Sequence, residues 1–153
     1  MIATTDPELL MARMDNLADA TRLRLLRLLE RHELGVAELV DILQLPQSTV
    51  SRHLKVLGDQ AWLGSRSRGT TNLYRMTPGA LDPSARALWK LARREIEGWA
   101  TSRQDELRLE RHLSNGGRRA EEFFAGAAVQ WDKLRRELYG DRYGIAALLA
   151  LLP

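Results

Sequence analysis

The chain has 153 residues, 44% apolar and 28% charged, with a formal net charge of +3, which suits a folded domain with an appended piece and excludes wholesale disorder. It has no cysteine, which excludes disulfides, thiolate metal sites, cysteine nucleophiles and CxxC redox chemistry. No secretory signal pattern opens it, and its longest apolar run, Ile145 to Leu152, falls short of the ~20 residues that cross a bilayer; a cytoplasmic protein without a membrane partner is expected.

Asp6-Pro7-Glu8 reads as a helix start, with Asp at the N-cap and Pro in the first turn, and predicts a first helix to about Leu17. Asp19 caps a second helix whose Leu23, Leu26 and Leu29, flanked by Leu25 and Leu28, form a wide apolar face. A short third helix fits Ala37 to Leu43, with Leu39, Val40 and Leu43 inward. Pro46 opens a fourth helix running to about Gln60. From Trp62 the pattern changes to two strands, ending at Arg68 and resuming at Thr71 through Met76, around a Gly69-Thr70 turn. Pro83 then opens a long helical stretch from Ser84 to His112, with Leu88, Leu91, Ile96 and Trp99 roughly at helical spacing. Ser114-Asn115-Gly116-Gly117 reads as a breaker. Beyond it lie an amphipathic helix, Ala120 to Tyr139, and the terminal apolar run.

The charge is unevenly placed. Residues 1–43 carry a net of −3, residues 44–76 a net of +4 and residues 77–153 a net of +2. A basic stretch beside an acidic one suggests a surface for a polyanion, although a merely solvated face would look the same from charge alone.

The fourth helix separates the two readings. At about 100° per residue, Val50, Leu54 and Leu57 fall in one narrow sector. Ser48, Arg52 and Lys55 lie opposite, with Thr49 and Ser51 flanking. Such a helix has the chemistry of a major-groove reader: Arg bonds guanine O6 and N7 in pairs, and Ser or Thr bonds base edges or phosphates. Lys55 suits a phosphate, which supplies affinity without sequence information. Asp59 projects outward too and would repel phosphate, so the N-terminal half of the helix is expected to read. The hairpin clusters Arg66, Arg68, Thr70 and Asn72 near a glycine-containing tip, as a wing following a recognition helix would. His53 borders the buried stripe and is expected to pack and make one hydrogen bond. His32 and His112 have no partner at ligand spacing, so no metal and no cofactor are expected.

Two stretches resemble a known family. Leu17-Ala18-Asp19-Ala20-Thr21-Arg22-Leu23-Arg24-Leu25-Leu26 is similar to the opening signature of the ArsR/SmtB winged-helix repressors. Gln47-Ser48-Thr49-Val50-Ser51-Arg52-His53-Leu54-Lys55-Val56-Leu57 resembles their recognition helix, and Trp62-Leu63 with the Gly69 to Tyr74 wing extends the likeness over roughly residues 9 to 100. The resemblance implies a mainly α winged helix-turn-helix with one β-hairpin. It implies a homodimer, formed by the first helix and the helix after the wing, on a palindromic operator in double-stranded DNA. The DNA-binding set is then Gln47, Ser48, Thr49, Ser51, Arg52, Lys55, Arg66, Arg68 and Thr70, with Thr21 and Arg22 adding a backbone contact at a helix N-terminus. Metal-sensing members carry a Cys-x-Cys pair around the third helix. Here that stretch reads Glu33-Leu34-Gly35-Val36-Ala37-Glu38-Leu39, with Gly35 and Ala37 in place of thiolates, so a member that senses no metal is expected.

The tail carries a weaker resemblance. Phe123-Phe124, the run from Trp131 to Asp141 and the run from Ala147 to Pro153 look like the lead-in to the S-adenosylmethionine-dependent methyltransferase domain fused to some ArsR-type regulators. No glycine-rich strand-to-helix loop accompanies them, so methyltransfer by this chain is not expected; a chain shortened relative to such a fusion is. The expected division is a DNA-binding and dimerisation domain over 1–112 and a helical extension over 113–153. The alternative is a regulatory or docking half of a methyltransferase fusion, for which an S-adenosylmethionine-related effector would matter only if the missing domain exists.

Overall fold

A computed structural model of the chain describes residues 6–139. The terminal apolar run Ile145 to Leu152, and the Gly140-Asp141 and Ala147 to Pro153 parts of the methyltransferase-like tail, lie outside the described residues. The chain divides into two compact units, one ending at His112 and the other beginning at Leu113.

The first unit opens with α1 (Pro7–Leu17), where the Asp6 carboxylate accepts the Glu8 N–H at 3.0 Å. Helix α2 (Ala20–Leu29) starts at Asp19, whose side chain accepts the Arg22 N–H. All five leucines predicted for its apolar face are buried. Two residues, Leu34–Gly35, form β1, followed directly by α3 (Val36–Leu43) and α4 (Gln47–Asp59). The hairpin is β2 (Leu63–Arg68) and β3 (Thr71–Met76), and β1 pairs antiparallel on the other edge of β3 to give the sheet order β1-β3-β2. A 3₁₀ turn (Pro78–Ala80) leads to α5 (Pro83–Ile96) and α6 (Ala100–Tyr139).

The structure departs from the sequence expectation in four places. The predicted helix over 84–112 is two helices: the Trp99 N–H tightens onto the Ile96 carbonyl at 3.1 Å, and Gly98, a poor helix former, sits in the break. The expected breaker at Ser114 to Gly117 lies inside α6, which runs through it. In α5 the core face is Ala85, Trp89 and Ile96, whereas Leu91 is 61% exposed and Trp99 37%. Neither leucine at 88 nor that at 91 shares the sector of Trp89, so the spacing was read one position off. The strand β1 was not foreseen, because two residues carry no period.

The core joins the leucines of α2 to Leu39, Ile42 and Leu43 of α3, Val50, Leu54 and Leu57 of α4, and Trp62. Polar groups then fix the helices around it. Arg13 of α1 is buried, with its Cζ 5.6 Å from the centre of the Trp62 ring. Its Nη1 donates to the Gln60 carbonyl, and its Nε donates to Asp82 at 3.0 Å. Asp82 is also the N-cap of α5, accepting the Ala85 N–H at 2.9 Å. The Arg24 guanidinium grips Asp105 of α6 with two bonds of 2.7 Å and donates to the Leu43 carbonyl at 3.0 Å.

Two predictions follow from these contacts. Asp105 is 1% exposed, and Asp105→Ala strands the Arg24 charge; we expect a loss of about 3–5 kcal/mol in urea unfolding, far beyond an ordinary surface change. For Asp82, the Ala85 N–H and Arg13 together hold its carboxyl below the usual carboxylate range against the opposing effect of burial. A lowered folded-state pKa gives stability that is present above the unfolded value of about 3.9 and is lost as pH falls through the folded one. Asp82→Ala therefore costs about 1–2 kcal/mol at neutral pH, and the deficit relative to wild type narrows in acid. A deficit that stays constant from pH 7 to pH 3 would remove this account.

Candidate nucleic-acid interface

Helix α4 is positioned by the turn after α3. Gln44 closes α3 in the left-handed region, φ 54° and ψ 46°, with its N–H on the Val40 carbonyl. Its side-chain amide donates back to the Asp41 carbonyl at 2.7 Å, the local bonding that lets a non-glycine residue hold this conformation. Leu45-Pro46 then redirects the chain. The Pro46 carbonyl accepts from Thr49 at 3.0 Å and Val50 at 3.1 Å, and no side chain caps the α4 N-terminus. That end presents backbone N–H groups and the positive pole of the helix.

Val50, His53, Leu54 and Leu57 are the buried side of α4. Gln47, Ser48, Ser51, Arg52 and Lys55 are exposed, and Thr49 is half-buried. The outer face is thus polar and ends in Lys55, whose Nζ meets Asp59 at 3.0 Å one turn on. His53 packs as expected without the expected bond: its Nδ1 has no hydrogen-bond partner among the described residues and lies 3.9 Å from Asp19 Oδ1. The Asp19 carboxyl is held low. Burial opposes this, and the Arg22 N–H and the nearby His53 and Arg22 charges outweigh it.

The wing register groups the basic residues. Arg66 faces Leu73, Arg68 faces Thr71 and Gly64 faces Arg75. Cross-strand partners share a face and alternate residues along a strand return to it, so Arg66, Arg68 and Arg75 stand on one side of the hairpin. Arg75 was missed in the sequence, although its two-residue offset from Leu73 carried the signal. The turn has Gly69 at φ +61° in its first central position, the sign a type II′ hairpin requires and a side chain resists. Thr70 completes the exposed tip.

One carboxylate sits against this arginine face. Both Glu33 oxygens accept from the Arg66 guanidinium, Oε2 at 2.7 Å from Nε. Arg66 is the main cause that lowers the Glu33 pKa, with Arg75 and Arg68 adding charge, and Glu33 in turn raises that of Arg66.

The second helix N-terminus stands differently. Thr21 is half-buried. The Arg22 guanidinium donates at 2.7 Å to both the Asn16 and Asp15 carbonyls, closing the C-terminal end of α1, while its N–H is taken by Asp19. The structure therefore brings the α4 residues onto one helix face and the wing arginines onto one strand face, but occupies Arg22 internally. Among the described residues, no group of three or more His, Asp or Glu side chains is arranged to hold a metal ion, and no helix is long and apolar enough to cross a membrane.

The helices around the α3–α4 helix-turn-helix, with the β2–β3 hairpin as a wing in a three-stranded sheet, define a winged helix-turn-helix. Residues 19–60 match the family described as bacterial regulatory protein, arsR family. The chain carries an ArsR-family helix-turn-helix domain. Among its relatives, an uncharacterized HTH-type transcriptional regulator of Methanocaldococcus jannaschii is 40% identical over 57 residues, 37% of this chain and 64% of that protein. An arsenical resistance operon repressor of Staphylococcus xylosus is 35% identical over 66 residues, 43% of this chain and 64% of that protein. The chain thus spans under two thirds of the length of either. HlyU from Vibrio cholerae superposes with a TM-score of 0.51 at 26% identity, over 60% of this chain and 95% of that one. NolR from Sinorhizobium fredii superposes at 0.50 and 29%, over 61% and 88%.

Proposed function

We propose that this chain is a sequence-specific DNA-binding transcriptional regulator, of the repressor kind, that acts as a homodimer on a palindromic operator in the cytoplasm and does not sense metal through thiolates. The observation that carries this is the outer face of α4. Its Gln47, Ser48, Ser51 and Arg52 are exposed, and no side chain caps its N-terminus. Arg52 and Ser48 read bases; Gln47, Ser51 and Thr49 assist; the open helix end takes a phosphate. Lys55, Arg66, Arg68 and Thr70 contact backbone, joined by Arg75. Thr21 can approach a phosphate at the α2 end, whereas Arg22 serves α1. The exposed Met11 and Met14 of α1 and Leu107 of α6 supply apolar surface for the dimer. The Staphylococcus xylosus relative is a repressor of an arsenical resistance operon, which favours that sense of regulation. Absence of cysteine supports the exclusion of thiolate sensing.

The test is selection of binding sites from random duplex DNA at two salt concentrations, with Arg52→Ala alongside. We expect a palindromic motif for wild type, and for the variant a loss of about 1–3 kcal/mol with relaxed preference at one position per half-site. A variant that selects the same motif with the same affinity would refute the base-reading role of Arg52.

Glu33 gives a second prediction. Arg66 leaves Glu33 to meet a phosphate, so the carboxylate competes with DNA. Glu33→Gln should tighten binding and steepen the slope of log K against log salt by roughly one unit per monomer. An unchanged slope in a salt titration would place the wing away from the phosphates.

A further inference from the structure

The second unit holds the part of α6 that begins at Leu113, and one series of its apolar and small residues falls in a strict pattern, with Phe123 and Val129 outside it. Leu113, Gly117, Ala120, Phe124, Ala127, Trp131 and Leu134 are spaced alternately by four and three residues, the period of a coiled-coil seam. The seam is open: Phe124 is 70% exposed, Trp131 73%, and Leu113 and Leu134 47% and 49%. Phe123 flanks it, its ring edge-on to Phe124 at 5.9 Å. Gly116, Gly117 and Gly126 lie in the same helix with nothing within 4 Å of an added Cβ. Each weakens the helix relative to Ala, through the extra backbone freedom it gives up on folding. A helix with that handicap and three naked aromatic rings needs a covering partner.

The sizes of the seam residues choose the partner. One set of alternate seam positions holds Gly117, Phe124 and Trp131; the other holds Leu113, Ala120, Ala127 and Leu134. A parallel copy in register sets Phe124 on Phe124 and Trp131 on Trp131, then Ala120 on Ala120 and Ala127 on Ala127, so crowded layers alternate with voids. An antiparallel copy mixes the two sets. In the register that places Phe124 against the partner's Ala127, Trp131 meets the partner's Ala120 and Leu134 meets the partner's Gly117. Each of these layers, from Gly117 to Leu134, then holds one large and one small residue, and Leu113 lies beyond them. At the flanks, Glu121 falls beside Ala128 and Phe123 beside Gln130, so no like charges oppose. The shallow groove along Ala127, Gln130, Trp131 and Leu134 is the space an incoming Phe124 side chain would take. Opposed helix dipoles add to this arrangement.

We propose that the α6 face from Gly117 to Leu134 is a self-association surface that pairs antiparallel with the same face of a second copy, with Phe124 seated on Ala127 and Trp131 on Ala120. This contact is separate from the α1 surface invoked above and does not depend on DNA binding.

The absence of native cysteine makes the test direct. Ala120→Cys and Trp131→Cys are made separately in the full chain, and each is oxidised alone and after co-refolding with the other. A mixed pair joins residue 120 to residue 131 at one end and keeps the native Trp131–Ala120 layer at the other. We expect roughly tenfold more disulfide-linked dimer in the mixture than in either variant alone, since only the mixture brings two Cα atoms within disulfide reach. Glu122→Cys, on the outer face, is the collisional control. Rapid linkage of Ala120→Cys with itself would mean a parallel pair, and linkage no faster than the control in every sample would mean another partner covers the seam. Either result overturns the proposal. Because all three positions are exposed, circular dichroism of each variant should match wild type.

Discussion

The buried bond between Arg24 and Asp105 is the constraint on which the geometry of the helix-turn-helix rests. Asp105 is almost wholly removed from water, and a carboxylate there is tolerable only with its full complement of donors. Arg24 gives two, and Arg108 approaches at 3.5 Å. Both arginines then continue to α3: Arg24 donates to the Leu43 carbonyl and Arg108 to the Ile42 carbonyl at 3.3 Å. The orphan carbonyls at the end of α3 are thereby satisfied from α2 and α6. Since Gln44 turns the chain directly after that end, the direction in which α4 leaves is set by charges that belong to other helices.

The opposite end of α3 is held by one side chain. Glu38 accepts the Gly35 N–H at 2.6 Å through Oε2 and meets His112 Nε2 at 2.9 Å through Oε1. Gly35 is also where β1 pairs with Leu73 of β3, and Thr71 Cγ2 stands 3.2 Å from where its Cβ would be. The small residue that excludes a thiolate ligand there is thus also the one that lets the wing close against α3. Helix, wing and α6 meet at this point, so the wing arginines and the α4 face keep a fixed relation. A rigid pair of elements suits recognition, because ordering them at binding would cost affinity.

Much of this was legible. Asp6 and Asp19 announced helix starts because a carboxylate one residue before an apolar period has few other uses. The Val50, Leu54 and Leu57 stripe defined the outer face of α4, because burial on a helix follows its angle. The hairpin followed from its turn. What the sequence hid was long-range. Glu33 meets Arg66 from 33 positions away, Arg24 meets Asp105 from 81, and a two-residue strand exists only because β3 offers it an edge. Local pattern describes a residue's own element, and such pairs are made by the fold. Arg22 shows the same limit: at a helix N-terminus it looked available to a phosphate, yet the end of α1 had already claimed it.

The run Ser114 to Gly117 is the instructive failure. Two adjacent glycines read as a stop because each weakens a helix, but weakening is a cost and not a prohibition. Neither has a positive φ, and Arg118 ties back to Asn115 at 2.9 Å, so the helix passes. The better guide was the apolar register, which runs from Leu113 to Leu134 without a slip and sets Gly117 within the seam. There the missing side chain leaves room for a large partner. A residue that is unfavourable within one helix can be suited to a pair of them, and the glycine that seemed to divide the helix is placed where a second helix would approach.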